Sequence, residues 1–212
     1  MLGLLGAPNL MAQDSYQVRL AKLQYDGGGD WYANPTSVPN LINFVRANTN
    51  IQLDPNEHLV RAAGNQIFQF PYVYMTGHGN VVFSDEEARN LRNYLVSGGF
   101  LHIDDNYGLD KYVRREMKKV FPELEFQEVD FAHPIFHQQF DFAQGLPKVH
   151  EHDGKPPQGF VLVWEGRVVC FYSFESDLGD GWEDATVHND PQDVRRKALE
   201  MGANIVIFAL NN

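Results

Sequence analysis

The stretch FPYVYMTGHGNVVFSDEEARNLRNYLVSGGFLHIDDN, Phe70 to Asn106, decides the fold, because it reads as strand, helix and strand without a break. Tyr72 to Met75 form a buried strand that ends at Gly77-His78-Gly79. Ser84 with Glu87 three positions on makes a capping box, Leu91 and Leu95 make the apolar stripe, and Gly98-Gly99 stops the helix. Phe100 to Ile103 follows at once as a second strand and runs into two acids, Asp104 and Asp105. A strand, a crossover helix and a strand of these lengths imply a parallel pair with a right-handed connection.

The pattern repeats outward. Val18, Leu20, Leu23 and Tyr25 mark a first strand, followed by Gly27-Gly28-Gly29 and by a helix over about 38 to 48 with Leu41, Phe44 and Val45 on one face and Thr36 or Ser37 as its cap. Tyr112, Val113, Met117 and Val120 mark the helix after Asp105. From Phe160 to Phe174 two β-rich runs flank Glu165-Gly166, a hairpin signal, and Pro191 opens a long helix that reaches Leu210. The expected architecture is an α/β three-layer sandwich with a central, mainly parallel sheet and a C-terminal β-hairpin plus helix, the strands beginning near Val18, Tyr72 and Phe100 lying side by side. The segment from about 122 to 160, rich in His, Pro and Asp, is a long excursion, and such loops carry function or lack order.

With 212 residues, 43% of them hydrophobic, the chain suffices for one large domain. Lys and Arg number 17 against 28 Asp and Glu, a net charge of −11, which excludes a nucleic-acid partner because such partners demand concentrated positive charge. A single cysteine, Cys170, allows no internal disulfide and lies in a strand-like run where a buried, inert thiol is expected. Residues 1–15 form an apolar segment ending in small and polar residues, read as the remnant of a signal peptide and hence as a sign of export; the basic start of such a signal is missing, and the run is too short to span a bilayer.

Ligands of open α/β sheets sit at the carboxyl ends of the strands, so the acids there are candidates. Alternation places Phe100, His102 and Asp104 on one face and Leu101, Ile103 and Asp105 on the other, so one carboxylate can face a ligand while the other caps the helix starting near Leu109. His150 and His152 are two apart and project to one side of an extended chain, with Asp153 beside them, a way to present metal ligands; His133 and His78 could approach the same rim. No cofactor is required by this pattern, and a divalent metal is the one it would take. The glycine run, flanked by Asp26 and Asp30, repels an anion and reads as a tight turn covered by Trp31 and Tyr32. Asp26, Asp30, Trp31, His78, Asp104, Asp105 and His133 are thus ligand-binding candidates, with His150, His152 and Asp153 as metal ligands; Asp26, Trp31, His78, Asp104, Asp105 and His150 are expected at one rim, with at least one carboxylate titrating high through like-charge repulsion. A nucleophile elbow is absent from the turns after the central strands.

The segments LQYDGGGDWYANPTSVPNL, TGHGNVVFSDEEARNLRNYLVSGGFLHIDDN, HPIF, LPKVHEHDGKPP, YSFESDLGDGWED and ALEMGANIVIFAL together resemble the bacterial family called domain of unknown function 4159, over nearly the whole chain from about Tyr16. The resemblance implies a Rossmann-like, flavodoxin-type fold of the class I glutamine amidotransferase-like superfamily, so that residues 16–212 would be one amidotransferase-like α/β domain. Tyr72 to Asp105 is also similar to the matching part of trehalose-utilisation-like proteins and of the trimerisation domain of some β-galactosidases, several of them non-catalytic. The superfamily's Cys-His-Glu triad is not matched. The resemblance therefore implies an extracytoplasmic, non-catalytic module that binds a small molecule or a protein, or serves as a subunit of a larger assembly; the alternative is a metal-assisted hydrolase or carbohydrate-active enzyme using rim His and Asp residues.

Overall fold

A computed structural model of the chain describes residues 17–152 and 154–212, so the expectations for the N-terminal segment and for Asp153 fall outside the described residues. Strands β1 (Leu20–Gln24), β2 (His58–Arg61), β3 (Tyr72–Gly77), β4 (Phe100–Asp105), β5 (Gln127–Glu128), β6 (Gln158–Trp164) and β7 (Arg167–Phe174) form one sheet in the order β2-β1-β3-β4-β7-β6-β5. The pairs β2/β1, β1/β3, β3/β4 and β4/β7 are parallel, and β7/β6 and β6/β5 are antiparallel. This is a Rossmann-like, flavodoxin-like sheet with a hairpin turned at Glu165-Gly166 added on one side.

The helices are α1 (Ser37–Asn48), α2 (Asp85–Val96), α3 (Asp110–Val120), the short α4 (Leu178–Trp182) and α5 (Ala185–His188), and α6 (Gln192–Asn211). Alternation along the strands builds two cores. Leu23, Val73, Met75, Leu101 and Ile103 face α2 and α3, and Leu20, Tyr72, Tyr74 and Phe100 face α1, α4 and α6. Both faces are covered, which is why β3 and β4 are buried at every position. Lys22 is buried on the α1 side, where its Nζ donates to the carbonyls of Ala33 and Asn34 and pairs with Glu57 at 3.2 Å. Trp182 is fully buried, and its indole N–H donates to the carbonyl of Ala198 in α6 at 2.8 Å.

Several details differ from the sequence reading. The edge strand β2 was not foreseen, because only Val60 of its four residues is buried and no alternation stands out. Thr36 occupies the cap position of α1 without capping it; its hydroxyl instead donates to Glu183 Oε1 at 3.0 Å, tying α1 to the far end of α4. Pro191 sits one position before α6 rather than inside its first turn. The excursion holds β5 and a 3₁₀ turn at Pro134–Phe136.

The capping box is present: Glu87 N–H donates to Ser84 Oγ at 3.2 Å, and Ser84 N–H to Glu87 Oε2 at 3.0 Å. Replacing Ser84 by Ala should lower unfolding free energy by about 1 kcal/mol in a urea titration, with an unchanged m-value; a loss below a few tenths would mean that the cap carries none of α2's stability.

Candidate functional site

Strand order reverses between β1 and β3, and open sheets take ligands in the crevice at such a point. Here the two loops are laced together. Gly29 N–H donates to Asn80 O at 2.9 Å, Val82 N–H to Asp26 O at 2.7 Å, and the Asn80 side-chain amide to Gly27 O at 3.0 Å. Gly29 permits the approach, since a Cβ there would lie 2.7 Å from the carbonyl oxygens of Asn80 and His78. Asp30 accepts from the His78 backbone N–H and lies 3.1 Å from His78 Nδ1, while Asp26 pairs with Arg61 at 2.6 Å. Trp31 packs on the core, but Tyr32 is 64% exposed, so one aromatic ring covers the sheet and not two. The glycine run is a tight turn, and its acids are held by neighbouring side chains and backbone.

Asp104 and Asp105 divide as their alternation requires. Asp105 Oδ1 accepts from the N–H groups of Tyr107 and Leu109 at 2.9 and 3.0 Å and so secures the entry to α3, and Oδ2 accepts from Tyr172 at 3.2 Å. Asp104, fully buried, accepts from Ser173 Oγ at 2.5 Å, from Gly179 N–H at 2.7 Å, from Tyr74 at 3.2 Å and from Leu178 N–H at 3.3 Å. Four donors fill its acceptor positions, so Asp104 faces the protein and holds the first turn of α4 against β4. Behind it a polar chain runs inward. His102 Nε2 is 2.9 Å from Ser173 Oγ, and Nδ1 is 2.7 Å from the Tyr72 hydroxyl. Burial pushes the His102 pKa down to about 3, so the ring is neutral. It accepts from Tyr72 and donates to Ser173, whose own proton points at Asp104.

On the far side of α4 the excursion returns. Val149 N–H donates to Ser176 O at 3.0 Å, which fixes His150 and His152 over the turn that follows β7. His150 Nδ1 lies 2.9 Å from Asp180 Oδ2 and its Nε2 3.0 Å from Asp190 Oδ1; His188 Nε2 is 3.9 Å from Asp180 Oδ1. His152 Nε2 is 2.5 Å from Asp177 Oδ2, and the ring stacks on Tyr107 at 4.6 Å. The two imidazoles proposed as a pair thus take different carboxylates. His133 is elsewhere: it caps the 3₁₀ turn and packs on Phe208, which abuts Phe100 at the amino end of β4, opposite the rim.

Asp177, Asp180, His188 and Asp190 were not singled out from the sequence. The signal was the density of acids between Ser176 and Asp190, obscured because α4 and α5 are too short to show periodicity. Backbone strain concentrates here. Asn34, Tyr107, Glu175, Asp177 and Asn189 all have φ between 56° and 94°, and the remaining described non-glycine residue of this kind, Glu165, lies in the hairpin turn. Such conformations persist where the surroundings over-determine them, often at functional sites.

Burial, and then the charges of Asp104 and Asp180, push the Asp177 pKa up to about 9. Burial also raises Asp104 to about 7, against the hydrogen bonds from Ser173 and Gly179, and raises Asp105. The direction matches that expected of clustered carboxylates, but desolvation is the larger cause and repulsion the lesser.

The fold and rim define a Rossmann-like α/β domain in which the buried polar side chains Asp104, Asp105, Ser173, Asp177 and Asp180 gather at the carboxyl ends of β4 and β7. A family model described as a domain of unknown function (DUF4159) matches residues 19–210, and the chain belongs to that family. Among curated proteins none matches it.

Because Asp177 keeps its proton in the folded chain up to about pH 9 but loses it near pH 4 when unfolded, its burial penalises folding increasingly as pH rises through that window. Asp177→Asn removes the penalty. The variant should match wild type at pH 4 and exceed it by about 1 kcal/mol or more at pH 8 in denaturant titrations; equal stability at both pH values would show that Asp177 is not held neutral.

Proposed function

We propose that the domain is an exported ligand-binding module on an amidotransferase-like scaffold, and that what it binds carries positive charge. One observation carries the reading: Asp177 is fully buried, its Oδ1 has no hydrogen-bond partner, and it sits among Asp104, Asp105 and Asp180. Its Oδ2 is met by His152, but a buried carboxyl oxygen left without a partner is costly until one arrives. Lys148, the cation facing it, is already paired with Glu175 at 3.0 Å. Cys170 supports a binding role over amidotransferase chemistry, since it lies fully buried within β7 and burial pushes its thiol pKa far up. The apolar N-terminal sequence supports export, and among the described residues no helix is long and apolar enough to cross a membrane.

A second reading, metal-assisted hydrolysis, is favoured by the His152–Asp177 contact, an acid and a base at 2.5 Å beside further His and Asp side chains. Metal-dependent cleavage of a model ester that falls in Asp177→Asn would promote it over simple binding.

The test of the binding reading is thermal. At constant ionic strength, spermidine, lysine amide or divalent cations should raise the melting temperature, while phosphate and citrate should not; a ligand at 100 times its Kd adds about 2.7 kcal/mol. Stabilisation by anions alone, or by none of these, would overturn the reading.

A further inference from the structure

We infer that His150, Asp180 and His188 form a binding site for one divalent transition-metal ion, with Asp190 orienting His150 from behind. The inference rests on the cation-binding reading above and names the cation.

Three separate segments deliver the donors. His150 comes from the extended excursion, Asp180 from the middle of α4, and His188 from the last position of α5, just before Asn189 turns the chain in the left-handed region at φ 60°. One ligand atom from each lies within 4.8 Å of the others. The His150 Nδ1 to Asp180 Oδ2 distance is 2.9 Å, His188 Nε2 to Asp180 Oδ1 is 3.9 Å, and the two imidazole centroids are 5.0 Å apart. In a tetrahedral site with bonds of roughly 2.0–2.2 Å the ligand atoms lie about 3.3 Å apart. The closure needed is less than about 1.5 Å, within reach of a side-chain rotation of the exposed His188.

The outer partners of such a site are already in place. Metal-bound imidazoles hand their second nitrogen to a carboxylate or carbonyl, which sets the ring's orientation and raises its basicity. His150 Nε2 has Asp190 Oδ1 at 3.0 Å in that role. A ligating carboxylate is in turn hydrogen-bonded, and Asp180 Oδ1 accepts from Asn34 Nδ2 at 2.7 Å. Asn34 is itself gripped through its carbonyl by buried Lys22 at 3.1 Å. The exposed pair of His137 with Asp141 at 2.6 Å also has its second nitrogen held, by the Phe131 carbonyl, but among the described residues no third donor stands beside it.

An independent observation points the same way. Asp177, three residues before Asp180 and wholly buried, has one oxygen held by His152 and the other with no partner, and Asp104, Asp105 and Asp180 surround it with like charge. A divalent charge held by Asp180, with Asp190 behind it, would offset the repulsion between Asp180 and Asp177. Two imidazoles and one carboxylate select the metal class. Calcium and magnesium take oxygen ligands, whereas nitrogen-rich sites of three protein ligands suit zinc, cobalt or nickel and keep a fourth position for water or a ligand.

The experiment uses the full chain, stripped with chelator and dialysed, then titrated calorimetrically with Zn²⁺ and spectroscopically with Co²⁺. Expected are one equivalent of Zn²⁺, visible Co²⁺ bands of tetrahedral intensity, and at least a 100-fold weaker Kd in His150→Ala and in His188→Ala. Asp190→Asn should weaken binding about 10- to 100-fold through the imidazole it orients, and His137→Ala should leave it unchanged. His188 is exposed, so its variant should fold as wild type does, checked by melting in chelator. No binding, or binding insensitive to His150→Ala and His188→Ala, overturns the inference. If spermidine stabilises the chain while no transition metal binds, the metal site fails and the cation-binding reading stands; if neither does, both fail.

Discussion

Asp104 is the constraint on which the rim depends. A carboxylate at the end of a central parallel strand, beyond reach of solvent, must find its donors within the protein. It takes them from two backbone amides at the start of α4, a tyrosine on β3 and a serine on β7. Three strands and the first turn of a helix are thereby tied to one side chain. The helix it fixes is five residues long and could not hold its shape by propensity alone. Gly179 belongs to the same device: a Cβ there would lie 2.3 Å from the Tyr74 hydroxyl and 3.1 Å from Asp104 Oδ2, so only glycine lets its amide come close enough to donate.

Once α4 is pinned, the rest of the rim follows by geometry. Asp177, immediately before the helix, is forced into the left-handed region, and Asp180 is carried to the side where Asn34 and His150 meet it. The buried Trp182 closes the helix against α6, and Thr36 and Asn40 hold its far end through Glu183, the Trp182 carbonyl and Asp184. Burying this much charge and strain is unfavourable, and the apolar packing of Leu178 and Trp182 with α1 and α6 offsets it. Stability and site are therefore coupled through a short helix.

Much of the frame was legible in the sequence because it follows from local rules. The Ser84–Glu87 box, the Gly98-Gly99 stop and the parallel pair that flanks them appear as read, as does the hairpin at Glu165-Gly166. The division of labour between Asp104 and Asp105 was legible as alternation, but not its outcome. Whether a carboxylate faces a ligand or the protein depends on how many donors surround it, and Asp104's come from positions 30 to 75 residues away. His150 and His152 were visible as a spacing. Their partners were not, because Asp180, Asp177, Asp190 and His188 arrive through contacts spanning 25 or more residues, from loops and from helices too short to carry a period. Edge strand β2 escaped for a related reason, since one buried side chain in four makes no pattern.

The crevice between β1 and β3 is closed, which bears on where the candidate site lies. In an open parallel sheet that crevice exists because successive crossovers leave in opposite directions and their loops part. Here Gly27 and Gly29 let the first loop approach the second closely enough for an isolated antiparallel bridge between Asp26 and Val82, and Asp30 fastens His78 across it. With that opening filled by backbone, the buried polar groups of the rim gather further along the sheet, at the carboxyl ends of β4 and β7, which stay paired as far as Asp104 and Ser173. There the long excursion before β6 lays two histidines over a helix start, and the sheet's own carboxylates are already occupied in holding that helix. The candidate groups are consequently those supplied by loops and short helices, two strand pairs along the sheet from the closed crevice and without any alteration of the sheet itself.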